Sequence, residues 1–203
     1  MNDQSFYDQG IRFLAGVDEA GRGPLAGPCV VSAVILSPEH IHPDLADSKK
    51  LSATKRDVLY QWIKLNALAY SIVIVEPRDI DALNIYQATR QGMMRAIDAL
   101  DVQPEWILTD AMPLDARYPH QSFTQADGLF KCVGAASILA KVTRDRIMIE
   151  LDQSYPEYGF KHHKGYPTKQ HITALKAYGP TPHHRFSYRP VIEAQTLDEK
   201  RKT

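Results

Sequence analysis

The sequence is poor in cysteine, in net charge and in long apolar runs, and each shortage removes a class of protein. Cys29 and Cys132 are the two cysteines in 203 residues. They sit in the apolar settings PCVV and KCVG, which suits buried reduced thiols and argues against a disulfide framework or a cysteine-built metal cluster. No stretch approaches the roughly 20 apolar residues that span a bilayer, so no membrane partner is expected. The opening residues MNDQSFYDQG lack the basic-then-apolar plan of a signal peptide, and a cytoplasmic location is the expectation. A formal charge of zero argues against a generic polycation.

What charge there is lies unevenly along the chain. Between Glu76 and Asp127 nine acidic residues face four basic ones, whereas Lys141 to Arg189 holds nine basic against four acidic. An acidic centre beside a basic flank suits a metal-dependent site for a polyanion. The alternative is that these blocks mix in space into ordinary solvated faces, and charge alone does not choose between the two.

Apolar strand-like runs alternate with helical patterns, which predicts the α/β class. RFLAGVD and PCVVSAVIL read as strands joined through a GRG turn, hence as an antiparallel pair. AYSIVIVEP and EWILTD are two further short runs, and HQSFTQAD is a weaker fifth. Ser52 is placed to cap a helix running to about Leu68. NIYQATRQGMMRAIDALD carries apolar residues at Ile85, Ala88, Met93 and Ile97. GAASILAKVTRDRIMIELD is the clearest helix, with Ala135, Ile138, Val142 and Ile149 on one face. Thr168 is placed to cap a last helix to about Ala177, and the polar end EAQTLDEKRKT is expected to fray.

Two acids stand where apolar runs end: Asp18 after FLAGV and Asp110 after WILT. If those strands are neighbours the carboxylates converge at the sheet edge where α/β proteins place ligands. Hard divalent ions take such oxygen ligands, and the combination suits phosphodiester chemistry. The competing reading is that each aspartate merely begins a turn. Asp18 and Glu19 are successive residues, so a regular strand would point them to opposite faces and a kink is needed for both to reach one ion. Asp145 falls in register with the apolar stripe of its helix and reads as an inward structural carboxylate with an arginine partner, or as a rival metal ligand. The pairs His162-His163 and His183-His184 lack the spacing of a zinc site; His163 and His184 fit loop caps or phosphate neighbours.

Taken in order, AGVDEAGRGPLAGPCVVSAVIL, DSKKLS, AASILAKVTRD, YGFKHHKGYPT and HHRFSYRPV resemble the signature blocks of ribonuclease HII, the type 2 ribonucleases H, across residues 15 to 191. The resemblance implies an RNase H-like fold, with a central mixed five-stranded sheet, flanking helices and a small C-terminal helical portion. It implies a single catalytic domain over residues 11–191 between a flexible tail at 1–10 and a polar tail at 192–203. The metal-binding and catalytic acids then fall on Asp18, Glu19, Asp110 and Asp127, holding two Mg²⁺ or Mn²⁺ ions. The chain departs from the usual pattern with QAD where a lysine or glycine commonly precedes the acid, and with Ala111 where glycine is common.

The implied activity is cleavage of RNA in RNA-DNA hybrids and on the 5′ side of single ribonucleotides embedded in duplex DNA, leaving 3′-hydroxyl and 5′-phosphate ends and serving to remove misincorporated ribonucleotides. Gly21, Arg22 and Gly23 would contact the ribose 2′-hydroxyl through their backbone, and Tyr166 would stack on the next sugar. Lys49, Lys50, Ser137, Lys141 and Lys164 are the candidate phosphate contacts, and a monomer is expected. A related DNA nuclease or integrase of the same fold, or a non-catalytic binder of hybrid duplexes, are the alternatives that an assay separates.

Overall fold

The computed structural model describes residues 1–45, 51–115 and 117–202, with side chains as far as residue 197. In chain order its elements are α1 (Gln4–Tyr7), β1 (Leu14–Ala20), β2 (Cys29–Ile35), α2 (Ala53–Asn66), β3 (Ala69–Val75), α3 (Pro77–Leu83), α4 (Ile85–Asp98), β4 (Trp106–Asp110), β5 (His120–Phe123), α5 (Ala126–Leu129), α6 (Lys131–Ser154), α7 (Phe160–His163), α8 (Lys169–Tyr178) and α9 (Arg189–Lys202). The five strands lie in the order β3-β2-β1-β4-β5. β1 and β2 form the expected antiparallel pair, with Asp18 opposite Ser32. β4 runs parallel to β1, with Val17 opposite Thr109, and β5 runs parallel to β4. Because β1 and β4 are parallel neighbours, their C-terminal ends share one edge of a mixed sheet. That edge receives Asp18 and Asp110.

The chain divides into two compact units. The first comprises Met1–Ala20, Val30–Ile74 and Arg90–Val142; the second comprises Gly21–Cys29, Val75–Thr89 and Thr143–Thr203. In the first, Leu14, Val34 and Leu108 of the sheet, Leu59 and Ile63 of α2, and Val133 and Ile138 of α6 close one apolar core. Each such side chain contributes about 1.5–3 kcal/mol by leaving water. The start of α6 lies hard against β1 at Gly16: a Cβ there would stand 2.1 Å from the carbonyl carbon of Cys132 and 2.2 Å from the nitrogen of Val133. Only glycine permits that approach. In the second unit two smaller clusters form, one of Ala26, Met148, Tyr158, Phe160 and Ala174, the other of Leu25, Leu175, Val191 and Ala194.

Local capping follows the sequence. The Ser52 hydroxyl accepts the N–H of Lys55 at 3.2 Å, and that of Thr168 accepts the N–H of His171 at 3.3 Å. Three expectations meet a different structure. The residues expected as a flexible N-terminal tail contain α1, whose Phe6 is buried in the first unit's core. Asp3, also buried, accepts the N–H groups of Lys131 and Cys132 at 2.6 and 3.0 Å and so satisfies the first turn of α6. At the other end the polar residues expected to fray continue helix α9, anchored through Val191 and Ala194. Ile149 was expected on the buried stripe of α6, yet it is exposed and Met148 is buried in its place. The drift of a straight 3.6-residue helix against a seven-residue repeat turns the stripe over a helix this long.

Asp3→Ala removes a helix cap and a favourable charge at a helix N-terminus. The loss should be about 1–2 kcal/mol, and thermal melting should fall by roughly 3–6 °C. An unchanged melting temperature would mean that the N-terminal segment does not secure α6.

Candidate active site

In the first unit three carboxylates converge. β1 delivers Asp18, the neighbouring β4 ends on Asp110, and the short helix α5 that follows β5 supplies Asp127. One oxygen from each lies within 4.8 Å of the others. Asp18 and Asp127 are buried, while Asp110 is half-buried. The main-chain N–H of Ala126 donates to Asp110 Oδ1 at 3.1 Å, which ties the end of β4 to the first turn of α5. Asp18 Oδ1 accepts the N–H of Glu19 at 2.8 Å. The Ser137 hydroxyl of α6 also reaches Asp18.

Burial raises the Asp18 pKa well above the usual carboxylate value, and the charges of Glu19 and Asp110 add to it. The hydrogen bonds from Ser137 and from the Glu19 N–H act the other way without cancelling the rise. Like charges gathered out of water are unfavourable unless a cation joins them. Three convergent hard oxygens are the donor set that a divalent ion such as Mg²⁺ or Mn²⁺ prefers, so the residues present fit a divalent metal.

The acid that lies beside Asp18 and Asp110 is Asp127. Asp145, the rival for that position, is a half-buried residue of the second unit whose charge acts on Arg144. The inward side chain at this turn of α6 is Arg144 itself, 1 % exposed. Glu19 is not one of the three converging acids among the described residues. The expected kink is not present in the pairing, since Asp18 and Glu19 face Ser32 and Val31 in regular register. The Glu19 charge nevertheless acts on Asp18, ahead of that of Asp110.

Two residues next to the aspartates adopt the left-handed backbone region. Ala111, which follows Asp110, has φ +48°, and Gln125, two before Asp127, has φ +58°. These are the places where the chain departs from the ribonuclease HII pattern, and the positive φ at residue 111 explains why glycine suits it. A side chain in this region costs on the order of 1 kcal/mol, a strain that sits beside the acids.

The GRG turn and Tyr166 both lie in the second unit. Gly21 has φ +99°, and a Cβ on it would stand 2.0 Å from Arg144 Nε. Gly23 is exposed, and a Cβ on it would meet the Tyr166 ring at 3.4 Å. The structure thus brings the second glycine of the turn against the tyrosine, whose ring is 43 % exposed and lies 5.9 Å from the Arg144 guanidinium. Lys164 is half-buried, and its carbonyl accepts from Arg144 Nη2 at 2.9 Å. Ser137 and Lys141 belong to the first unit; the former is the Asp18 partner already described, the latter half-buried on α6. Lys49 and Lys50 lie outside the described residues.

Sequence reasoning missed two buried arginines. Arg144 donates to the carbonyls of Pro28, Ala26 and Lys164, and Arg185 to those of Gly21, Arg22 and Gly27. Burial, aided by the charge of Arg185, lowers the Arg144 pKa to about 10, so it stays charged at neutral pH. Arginine reads as a surface residue by type, and only its place inside the quoted VTRD and HHR blocks marks either one.

A histidine group also supports the Tyr166 loop. His171 Nδ1 lies 3.0 Å from the Tyr166 carbonyl, His171 and His184 share a 3.1 Å contact through their Nε2 atoms, and His163 Nδ1 accepts the N–H of Gly165 at 3.2 Å. His184 Nδ1 accepts the N–H of Thr181 and so caps that loop. Burial pushes the pKa of His171 down to about 4 and of His184 to about 3, which keeps both neutral at pH 7.

The buried Asp18 charge predicts an inverse relation between stability and metal. With EDTA at pH 7, Asp18→Asn should melt roughly 2–5 °C above the wild type, because it removes a desolvated charge but keeps the hydrogen-bond acceptor. Added Mg²⁺ should narrow the gap by stabilising only the wild type. A variant that melts lower than the wild type in EDTA would show that the carboxylates do not strain the empty fold.

Comparison with known proteins agrees with the geometry. The family model described as ribonuclease HII matches residues 15–191. The ribonuclease HII of Halalkalibacterium halodurans is 51 % identical over 191 residues, spanning 94 % of this chain and 73 % of that protein. The ribonuclease HII of Geobacillus kaustophilus is 48 % identical over 198 residues, spanning 98 % and 76 %. Among solved structures, ribonuclease H2 from Pyrococcus horikoshii superposes with a TM-score of 0.79 at 28 % identity, covering 94 % of this chain and 99 % of that one. The chain belongs to the ribonuclease HII family: it is a ribonuclease H endonuclease built on an RNase H-like fold.

Proposed function

We propose that this enzyme cuts RNA joined to DNA on the 5′ side of a ribonucleotide, including a single ribonucleotide embedded in duplex DNA, and leaves 3′-hydroxyl and 5′-phosphate ends. The observation that carries the reading is the convergence of Asp18, Asp110 and Asp127 within 4.8 Å. On it rests the assignment of these three, with Glu19 on the family pattern, as the acids that hold two Mg²⁺ or Mn²⁺ ions. Such ions supply activation of a water nucleophile and stabilisation of the leaving 3′-oxygen. Ser137 orients Asp18 through its hydroxyl. The Ala126 N–H fixes Asp110.

Discrimination of RNA from DNA falls to the 2′-hydroxyl, which both donates and accepts. The main chain of Gly21, Arg22 and Gly23 is assigned to that hydroxyl, and the exposed Tyr166 ring beside Gly23 is assigned to the neighbouring sugar. Lys141 and Lys164, together with Lys49 and Lys50, are assigned to the phosphates. In this reading the protein acts as a cytoplasmic monomer that removes misincorporated ribonucleotides; no helix among the described residues is long and apolar enough to cross a membrane.

A duplex DNA carrying one ribonucleotide tests the reading on a gel. The expected result is a single cut 5′ to that residue, abolished by EDTA and by Asp110→Asn, with an all-DNA duplex left intact. Cleavage of the all-DNA control would make the protein a DNA nuclease, and EDTA-sensitive binding without scission would make it a binder.

Tyr166 offers a second check on the same substrate. Removing the ring in Tyr166→Ala misplaces the sugar and should lower the rate about 100-fold. Tyr166→Phe loses one hydrogen bond worth about 1 kcal/mol and should fall less than tenfold. Equal losses in the two variants would assign the effect to the hydroxyl instead of the ring.

A further inference from the structure

Arg185 is fully buried and grips both ends of the loop that begins at Gly21. Its Nη2 donates to the carbonyls of Gly21 at 2.6 Å and Gly27 at 3.0 Å, and its Nη1 donates to that of Arg22 at 2.8 Å. Tyr188 Oη, itself 3.1 Å from Arg185 Nη1, donates to the Arg22 carbonyl at 2.9 Å. The planar guanidinium thus organises consecutive carbonyls that a single ammonium could not reach together. The peptides of the described residues are trans. In a trans peptide the C=O and the following N–H point in opposite directions. Turning the carbonyls of Gly21 and Arg22 onto Arg185 therefore directs the N–H groups of Arg22 and Gly23 away from it. Gly21 is buried, Arg22 half-buried and Gly23 exposed, so the turn runs from the interior towards solvent. Successive main-chain N–H groups on one side of a turn form a receptor for an acceptor oxygen.

We propose that Arg185 is a positioning residue for ribonucleotide specificity: it touches no substrate, and by holding the Gly21 and Arg22 carbonyls inward it presents the N–H groups of Arg22 and Gly23 as a donor pair for the ribose 2′-oxygen. The inference rests on the assignment of the GRG turn to the 2′-hydroxyl. Arg144 serves the same frame, since its Nε stands where a Gly21 side chain would be and its Nη2 holds the Lys164 carbonyl. Its contacts reach residues 26, 28 and 164, not the two carbonyls that set the donor pair.

The test compares binding of two duplexes in EDTA, where cleavage does not interfere: one carrying a single ribonucleotide and one all DNA. Wild type should prefer the first by about tenfold, the worth of one to two hydrogen bonds. In Arg185→Lys the charge remains but the fork is gone, and the preference should shrink to within about twofold while affinity for all-DNA duplex stays. An undiminished preference in Arg185→Lys overturns the positioning role, and so does an equal loss of affinity for both duplexes, which marks a merely structural residue. Absence of any preference in the wild type instead overturns the reading of the GRG turn on which the proposal stands. Should Arg185→Lys fail to fold by circular dichroism, amide NMR of the wild type decides: the Arg22 and Gly23 amide signals should shift with the ribonucleotide duplex and not with all-DNA, and identical shifts with both overturn the proposal.

Discussion

The burial of Asp18 beside two further carboxylates, Asp110 and Asp127, is the constraint on which the first unit turns. Three oxygens within 4.8 Å, two of them on buried side chains, form an arrangement that folding alone would disfavour. The surrounding structure over-determines it. Parallel pairing of β1 and β4 brings the two strand ends to one edge, and the Ala126 N–H binds Asp110 to the segment that carries Asp127. α6 then places Ser137 on Asp18, which depends on the bare Gly16 surface that α6 packs on and on the Asp3 carboxylate that satisfies its first turn. Stability elsewhere in the core holds a set of charges whose natural partner is a divalent ion.

Backbone strain follows the same logic. Ala111 and Gln125 take positive φ directly beside the acids, where the chain must turn sharply off β4 and into α5. In the second unit the balance is met by cations instead of carboxylates. Arg144 and Arg185 are buried among main-chain carbonyls, and neutral histidines complete the hydrogen bonding around the Tyr166 loop. Charged guanidinium donors give stronger hydrogen bonds to carbonyls than neutral groups do, which suits loops that have no ladder of their own. Here a polar scaffold does what apolar packing does under the sheet.

Much of this was legible from residue order. The β1–β2 hairpin, the caps at Ser52 and Thr168, and the strand-end aspartates all follow from local chemistry that a sequence displays. Asp127 was legible only through resemblance, because a four-residue helix leaves no periodicity. The succession of Asp18 and Glu19 is visible in the sequence as a difficulty for a regular strand, and the structure keeps regular register at both residues. Long-range effects were invisible. Nothing local to Asp3 says that it caps a helix 128 residues later, and nothing local to Arg144 or Arg185 says that carbonyls from a distant turn will surround them. The exchange of Ile149 for Met148 on the buried face reflects a drift in the stripe that a short periodic window does not register.

Anomalous scattering from a crystal grown with Mn²⁺ decides whether the three aspartates together hold a metal. The expected result is a peak bounded by carboxylate oxygens of Asp18, Asp110 and Asp127, absent from a crystal of Asp110→Asn treated in the same way. A peak coordinated by other residues, or one that persists unchanged in the variant, would contradict it.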